Sequence, residues 1–466
     1  MPFYNSVTDI VISELIKLCG KNAVITEREK LENYSHDELN DINYVKIPKV
    51  VVMPADVNEV SGVIKYAFSN SIPIIARGAG TAFTAGSIAI TDGIVISLER
   101  MNKIIEIDNK NMFITAEAGA RTSEVQKAAF EAGFLYAGDP CSCESSFIGG
   151  NVATNAGGNK AIKYGTTRRQ VYGLEIVTAS GEIVNIGGKC MKDSTGYSLL
   201  NLIIGSEGTL AVITKVCLKL MPLPKNSLDL LIVFKSLGEA VKIVPEIIAS
   251  GCAATCIEFM DNKTIRCCEE FLKEKLPHGE IGYYIIVKLE GDSMDQLEAA
   301  AVFIDELCAK NGALETLVAE PSRIWKARKA FAEADRAKSL VFSAEDLVVP
   351  VSEICAAVSK IDELSKKYGL TVHCAGHAAD GNIHANILKE NLGDDEYSEK
   401  LHKFQDELYD FVYSIGGKLS GEHGIGYKRA KFMKKYTSPA EYEMMKAVKA
   451  ALDPKNILNP GKIFEI

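Results

Sequence analysis

The sequence predicts an α+β fold in two main domains, and three observations carry that prediction. Strand-like runs and amphipathic helices mix without a regular βαβ alternation, several strands close as hairpins, and Pro222-Leu223-Pro224 breaks the chain near its middle. With 466 residues, each part is long enough to bury a core of its own.

Within residues 1–43, Ile10, Leu15 and Leu18 stand at roughly helical spacing, with Asp9 and Glu14 among them. This predicts an amphipathic helical segment and, because it lacks a basic start, not a secretion signal. Residues 44–222 form the first main domain. Asp56 with Glu59 predicts a helix start, followed by an apolar stripe through Val57, Val60, Val63, Ile64, Ala67 and Phe68. Residues 72–76 and 93–98 are expected as strands. Residues 103–108 and 112–118 predict a hairpin across Asn109-Lys110-Asn111, and residues 173–178 and 182–186 another across Ser180-Gly181. Between the hairpins, Ser123 with Gln126 opens a helix that stops at Gly133.

Residues 223–425 form the second domain. There, residues 282–290 are expected as a strand and 293–312 as a helix. A strand at 347–351, a helix at 352–369 and a strand at 370–376 follow. The tail, 426–466, opens with a basic run at 428–435 expected as a solvated helix face. Its turn-rich stretch at 452–462 is expected to return to the first domain.

Two stretches offer backbone N–H groups free of side chains: Arg77-Gly78-Ala79-Gly80-Thr81, and residues 148–158 with Gly149, Gly150, Asn151, Thr154 and Gly157. Such groups wrap phosphates. Two stretches in one domain fit a long diphosphate ligand such as flavin adenine dinucleotide (FAD). Gly78-x-Gly80 follows a strand, and Glu99 lies near where a Rossmann fold places its ribose-binding acid. Phe83, however, takes the third glycine's position and no helix is expected after the loop, so this is not a Rossmann turn. Taken alone, the first stretch also reads as a plain turn between strands.

Three of the seven histidines, His373, His377 and His384, lie close together. A strand at 370–376, a loop at 378–382 and a returning strand at 383–388 would let His377 and His384 share a ligand, with Asn386 on the face of His384. His373 is expected out of phase and structural. Gly421-Glu422-His423-Gly424 adds a carboxylate and an imidazole. Two imidazoles and one carboxylate suit a divalent cation with open positions. On spacing alone, lone histidines on strands are more often satisfied core or surface residues than ligands.

A net charge of −9 argues against nucleic acid as a partner. No run approaches the roughly 20 apolar residues of a membrane span. Twelve cysteines are scattered without a C-x-x-C pair. They are expected as reduced core thiols in a cytoplasmic setting, with no iron–sulfur centre. Electrons taken up here would leave to another protein or a small acceptor.

Over nearly its whole length the chain resembles the FAD-linked 2-hydroxyacid dehydrogenases, the D-lactate, glycolate and 2-hydroxyglutarate group of the vanillyl-alcohol-oxidase (PCMH-type) flavoproteins. The resemblance rests on residues 77–81, Gly138-Asp139-Pro140, residues 148–158, Tyr164-Gly165, Gly205-Ser206-Glu207-Gly208-Thr209, residues 376–386, residues 421–424 and Asn459-Pro460-Gly461-Lys462. It implies a two-lobed PCMH-type FAD-binding domain and an α+β cap domain with an antiparallel sheet. It assigns FAD contacts to Arg77, Gly78, Ala79, Gly80, Thr81, Pro140, Gly149, Gly150, Asn151, Thr154 and Gly157, with Glu207, Gly208 and Ile213 near the adenine end. Members with covalent flavin often carry His in the first loop, so Thr81 implies non-covalent FAD. His377, His384 and Glu422 take the places of ligands to a divalent metal (Zn, Mn or Fe), and His423 that of the catalytic base. Arg328, with Arg336 as second candidate, would bind the substrate carboxylate beside Asn386.

The implied reaction is oxidation of D-lactate or glycolate to the 2-oxo acid. Its electrons would pass to a partner such as an electron-transferring flavoprotein, in some relatives with bifurcation. Where 2-hydroxyglutarate-specific members carry a Lys, the stretch here is Ser343-Ala344-Glu345-Asp346, which disfavours a second substrate carboxylate. The alternatives are 2-hydroxyglutarate oxidation, an alkylglycerone-phosphate synthase-like flavin transferase, and a flavin-free metallohydrolase.

Overall fold

The computed structural model describes residues 4–39 and 41–465. They form two compact units. The first holds residues up to 157, Gly165–Leu223 and residues from 423 onward; the second holds Gly158–Tyr164 and Pro224–Glu422. The sequence reading places 158–164 in the first domain, but this segment clusters with the second. Lys163 Nζ donates to the Glu290 carbonyl at 2.8 Å and Tyr164 Oη to the Glu290 carboxylate at 3.0 Å, and a partner this distant in sequence leaves no local signature.

The first unit contains two sheets. A mixed four-stranded sheet has the order Val24–Ile25, Val50–Val52, Ile94–Ser97, Ile74–Arg77. Its last three strands are parallel and its edge antiparallel. The second sheet, five-stranded and antiparallel, contains both expected hairpins, Ile104–Asp108 with Phe113–Glu117 and Val171–Val177 with Ile183–Gly187. Asp56 caps the helix Val57–Ser69 as expected, accepting from the N–H groups of Asn58 (2.8 Å) and Glu59 (3.0 Å); Val60, Val63, Ile64 and Ala67 are buried, while Val57 and Phe68 are half-buried. No helix follows the loop after Arg77, in keeping with the rejected Rossmann reading. The tail belongs to this unit. Leu458 bridges to Ile74, and Asn459 Nδ2 donates to the carbonyls of Gly86 and Glu207.

Several expectations need correction. The first helix, Asp9–Cys19, buries Val11, Leu15 and Cys19, while Ile10 is 74% exposed. Residues four apart make a continuous stripe, and Ile10 lies about 100° to its side. The helix Thr122–Glu131 has Arg121 at its cap with no side-chain bond. The N–H groups of Thr122 and Ser123 are instead met by the carbonyls of Ser146 and Cys143, so a distant loop replaces the local cap. Lys428 and Arg429 of the basic run are buried. Arg429 Nη1 donates to the Gly424 carbonyl at 3.0 Å, a contact that a charge count cannot foresee. Cys141 and Cys190 are exposed, and no described cysteine is in a disulfide.

The second unit is built on one antiparallel seven-stranded sheet, ordered Glu315–Val318, Asn226–Phe234, Tyr283–Gly291, Ala254–Met260, Thr371–His377, Asn382–Leu388, Phe342–Val348. The last strand was expected at 347–351. It lies earlier because Pro350 lacks an N–H to pair, and because Ser343, Glu345 and Asp346 find hydrogen-bond partners there. The helices Asn262–Leu272, Pro321–Lys329 and Phe331–Lys338 pack on this sheet through Ile265, Cys268, Ile324, Ala327, Phe331 and Ala334. Among the described residues no helix is long and apolar enough to cross a membrane.

Candidate active site

In the second unit the strands Thr371–His377 and Asn382–Leu388 form a hairpin with Ala375 opposite His384 and His377 opposite Asn382. This sets the two imidazoles edge to face, 5.2 Å apart between centroids. Glu422 Oε1 lies 3.3 Å from His377 Nε2 and 3.2 Å from His384 Nε2. His377, His384 and Glu422 each turn one ligand atom to a common point, all within 4.8 Å of one another. Two imidazole nitrogens and a carboxylate oxygen, largely buried, suit a divalent cation that keeps an open coordination position.

Neighbouring acids hold this trio. Asp346 Oδ2 accepts from Ser420 Oγ (2.6 Å) and from the N–H groups of Gly421 (3.1 Å) and Glu422 (3.0 Å). Its other oxygen accepts from Asn382 Nδ2 at 2.8 Å. Glu258, fully buried, lies 2.7 Å from His377 Nδ1 and 2.9 Å from Arg328 Nε. Burial raises the Glu422 carboxyl, but His377 and His384 outweigh it and hold the group well below the usual carboxylate range. Burial likewise lowers His377, and Glu258 and Glu422 outweigh it, so its pKa lies well above the ordinary imidazole value.

Arg328 is buried in the ion pair with Glu258, and Arg336 is half-buried on Phe331–Lys338. Asn386 Nδ2 donates to Asp335 Oδ2 at 2.7 Å, and His373 Nδ1 lies 2.5 Å from Asp335 Oδ1. His373 was expected out of phase with the site. It is four residues from His377 on one strand and therefore shares its face; about 13 Å of strand separates them.

In the first unit the two glycine-rich stretches lie side by side. A Cβ on Gly78 would stand 3.7 Å from Gly150 Cα, whereas one on Gly150 would meet nothing within 4 Å. Beside them is a cavity of about 500 Å³ whose lining includes Arg77, Gly78, Arg121, Tyr34, Glu99 and Glu144. Bare glycine backbone suits the close approach of a diphosphate; the guanidinium groups of Arg77 and Arg121 share the lining with the Glu99 and Glu144 carboxylates. Glu99, set aside with the Rossmann reading, accepts from Tyr34 Oη at 2.6 Å and Ser97 Oγ at 3.0 Å.

Several residues assigned to FAD have structural partners here. Arg77 Nη2 donates to the His36 carbonyl at 2.9 Å. A Cβ on Gly80 would collide with that guanidinium, and one on Gly149 with Ala118. Asn151 Nδ2 donates to Thr122 Oγ1 at 2.7 Å, and Thr154 Oγ1 to the Gly150 carbonyl at 3.2 Å. Pro140, Gly157 and Ile213 are buried, and Thr81 is half-buried. Glu207, with Gly208 beside it at φ +71°, accepts from the N–H groups of Ile425 and Gly426, both at 2.7 Å. Its carboxylate thereby fixes the loop that begins at His423, whose ring lies 5.2 Å from that of Phe83.

Sequence reasoning missed Glu258 and Asp335, and saw Asp346 only as a charge. A signal existed for the first: Cys256-Ile257-Glu258-Phe259-Met260 sets an acid in an apolar strand, and a buried acid requires partners.

The chain matches the FAD binding domain family over residues 48–187 and the C-terminal domain of FAD-linked oxidases over residues 223–463. It is 35% identical to D-lactate dehydrogenase of Anaerostipes hadrus, covering 99% of this chain and 98% of that one. It is 33% identical to glycolate oxidase subunit GlcD of Bacillus subtilis, covering 98% and 97%. Its fold is similar to that of p-cresol methylhydroxylase, with a TM-score of 0.83 at 17% identity over 100% of this chain and 99% of that one. The chain belongs to the FAD-linked oxidases and is an FAD-linked oxidoreductase of PCMH-type fold.

Proposed function

We propose that this protein oxidises a small 2-hydroxy acid, D-lactate or glycolate, to the 2-oxo acid, using non-covalent FAD and a divalent cation. The observation that carries the reading is the convergence of His377 Nε2, His384 Nε2 and a Glu422 oxygen on one point. Relatives named D-lactate dehydrogenase and glycolate oxidase subunit, matched along nearly their whole length, support the substrate class. When bound, FAD supplies a hydride acceptor and the cation a Lewis acid for a hydroxyl oxygen.

The chain's own residues supply the rest. His377, His384 and Glu422 hold the cation and leave it an open side. The His423 imidazole takes the hydroxyl proton, which a neutral His can do near pH 7. Arg328 receives the carboxylate by a charge-assisted bond, and Asn386 lies on the same strand face as His384 to orient the acid. Ser343 Oγ donates to Glu345 at 2.6 Å. That strand offers no cation for a second carboxylate, which favours a monocarboxylate over 2-hydroxyglutarate. The electrons then leave to a protein partner such as an electron-transferring flavoprotein.

The test is anaerobic stopped-flow absorbance of the purified protein with D-lactate, glycolate and D-2-hydroxyglutarate. The reading predicts a yellow protein bleached by one of the first two. A colourless protein, or a flavin that stays oxidised with all three, contradicts it.

A further inference from the structure

We propose that Glu258 is a positioning residue that serves both halves of the site at once, presenting His377 to the cation and fixing Arg328 for the substrate carboxylate. The inference rests on the function proposed above. Glu258 and His377 are direct partners across the antiparallel strands Ala254–Met260 and Thr371–His377, so their side chains leave the same face about 5 Å apart. One carboxylate oxygen is 2.7 Å from His377 Nδ1; the other is 2.9 Å from Arg328 Nε and 2.8 Å from Nη2.

A carboxylate only accepts, so it keeps the proton on Nδ1 and leaves Nε2 as the ligand atom. Nε2 is the nitrogen that faces Glu422. The same group accepts a hydrogen bond from Nε of a guanidinium carried by the helix Pro321–Lys329, with Nη2 at ion-pair distance, which limits its rotation. Glu258 has no exposure, and an apolar strand needs no acid there for packing. An imidazole, a guanidinium and the Cys256 thiol hold this acid, and the proposed reaction uses the first two.

The test compares wild type, Glu258→Gln, Arg328→Gln and the double variant. Zinc affinity is measured by equilibrium dialysis with zinc alone, KM and kcat with D-lactate, and bound FAD by absorbance. Glu258→Gln should lower zinc affinity about 10- to 100-fold and raise KM, with FAD content unchanged. Arg328→Gln should keep zinc affinity, and the double variant should lose it as Glu258→Gln does. The double variant leaves no unpaired buried charge and carries the same test should Glu258→Gln not fold. Equal zinc affinity in the double variant and Arg328→Gln overturns the inference alone, since Glu258 would then only neutralise the arginine. Wild type that binds no zinc yet reduces its flavin with D-lactate overturns the metal reading and this inference together.

Discussion

Asp346 Oδ2 accepts the backbone N–H of Glu422 at 3.0 Å, so the proposed carboxylate ligand is placed by another acid 76 residues earlier in the chain. The same oxygen gathers Ser420 and Gly421. Asp346→Ala takes an acceptor from Ser420 Oγ, from the N–H groups of Gly421 and Glu422 and from the buried Asn382, and is expected to destabilise the fold by about 2–4 kcal/mol. Urea unfolding checks this. A loss below about 0.5 kcal/mol, the range of ordinary surface changes, would contradict it.

The loop after His423 depends on backbone that only glycine supplies easily. Gly426 has φ +54°, and a Cβ there would lie 2.2 Å from the Thr84 carbonyl oxygen. Gly426→Ala should cost about 2 kcal/mol or more and lower flavin reduction by disturbing His423. Wild-type stability and activity in this variant would show that the loop adapts freely.

Removal of the proposed base separates chemistry from binding. His423→Ala should keep FAD and lose about 10²- to 10⁴-fold in flavin reduction rate. Stopped-flow absorbance with D-lactate reads both. A loss of less than about tenfold would remove His423 from the base's role.

Much of this was legible in the sequence, for physical reasons that differ by element. Asp56 caps its own helix and both hairpins turn on residues adjacent to them, so local chemistry was sufficient there. His377 and His384 came together because a single short turn joins their strands. What escaped was set by distance. The N–H groups of Thr122 and Ser123 are satisfied by residues about twenty positions on, and Glu258 meets His377 across 119 residues. Polar residues in the strand Phe342–Val348 hid it, because buried pairing cannot be seen in an alternation of polar and apolar letters.

A buried lysine gives a pH signature. Burial pulls the Lys462 ammonium down to about 7, although Glu207 and Asp37 oppose the shift. The unfolded chain holds that proton to about pH 10.4. Between about 7 and 10 the unfolded state therefore binds more protons, and this group's contribution to stability rises with pH by up to about 1.4 kcal/mol per unit. Below about pH 7 that contribution is lost. Lys462→Met removes it, so the wild-type-minus-variant stability from urea unfolding should climb across this window. A difference that is flat or falling contradicts the assignment.

The central claim is that a chelated cation and FAD act together on one hydroxy acid. The most direct measurement is anaerobic flavin bleaching by D-lactate before chelation, after chelation, and after return of the metal, with His384→Ala beside it. Fast bleaching is expected first, then a yellow protein that no longer bleaches, then recovery, with His384→Ala behaving as the chelated enzyme throughout. Undiminished bleaching in protein stripped of metal would contradict it.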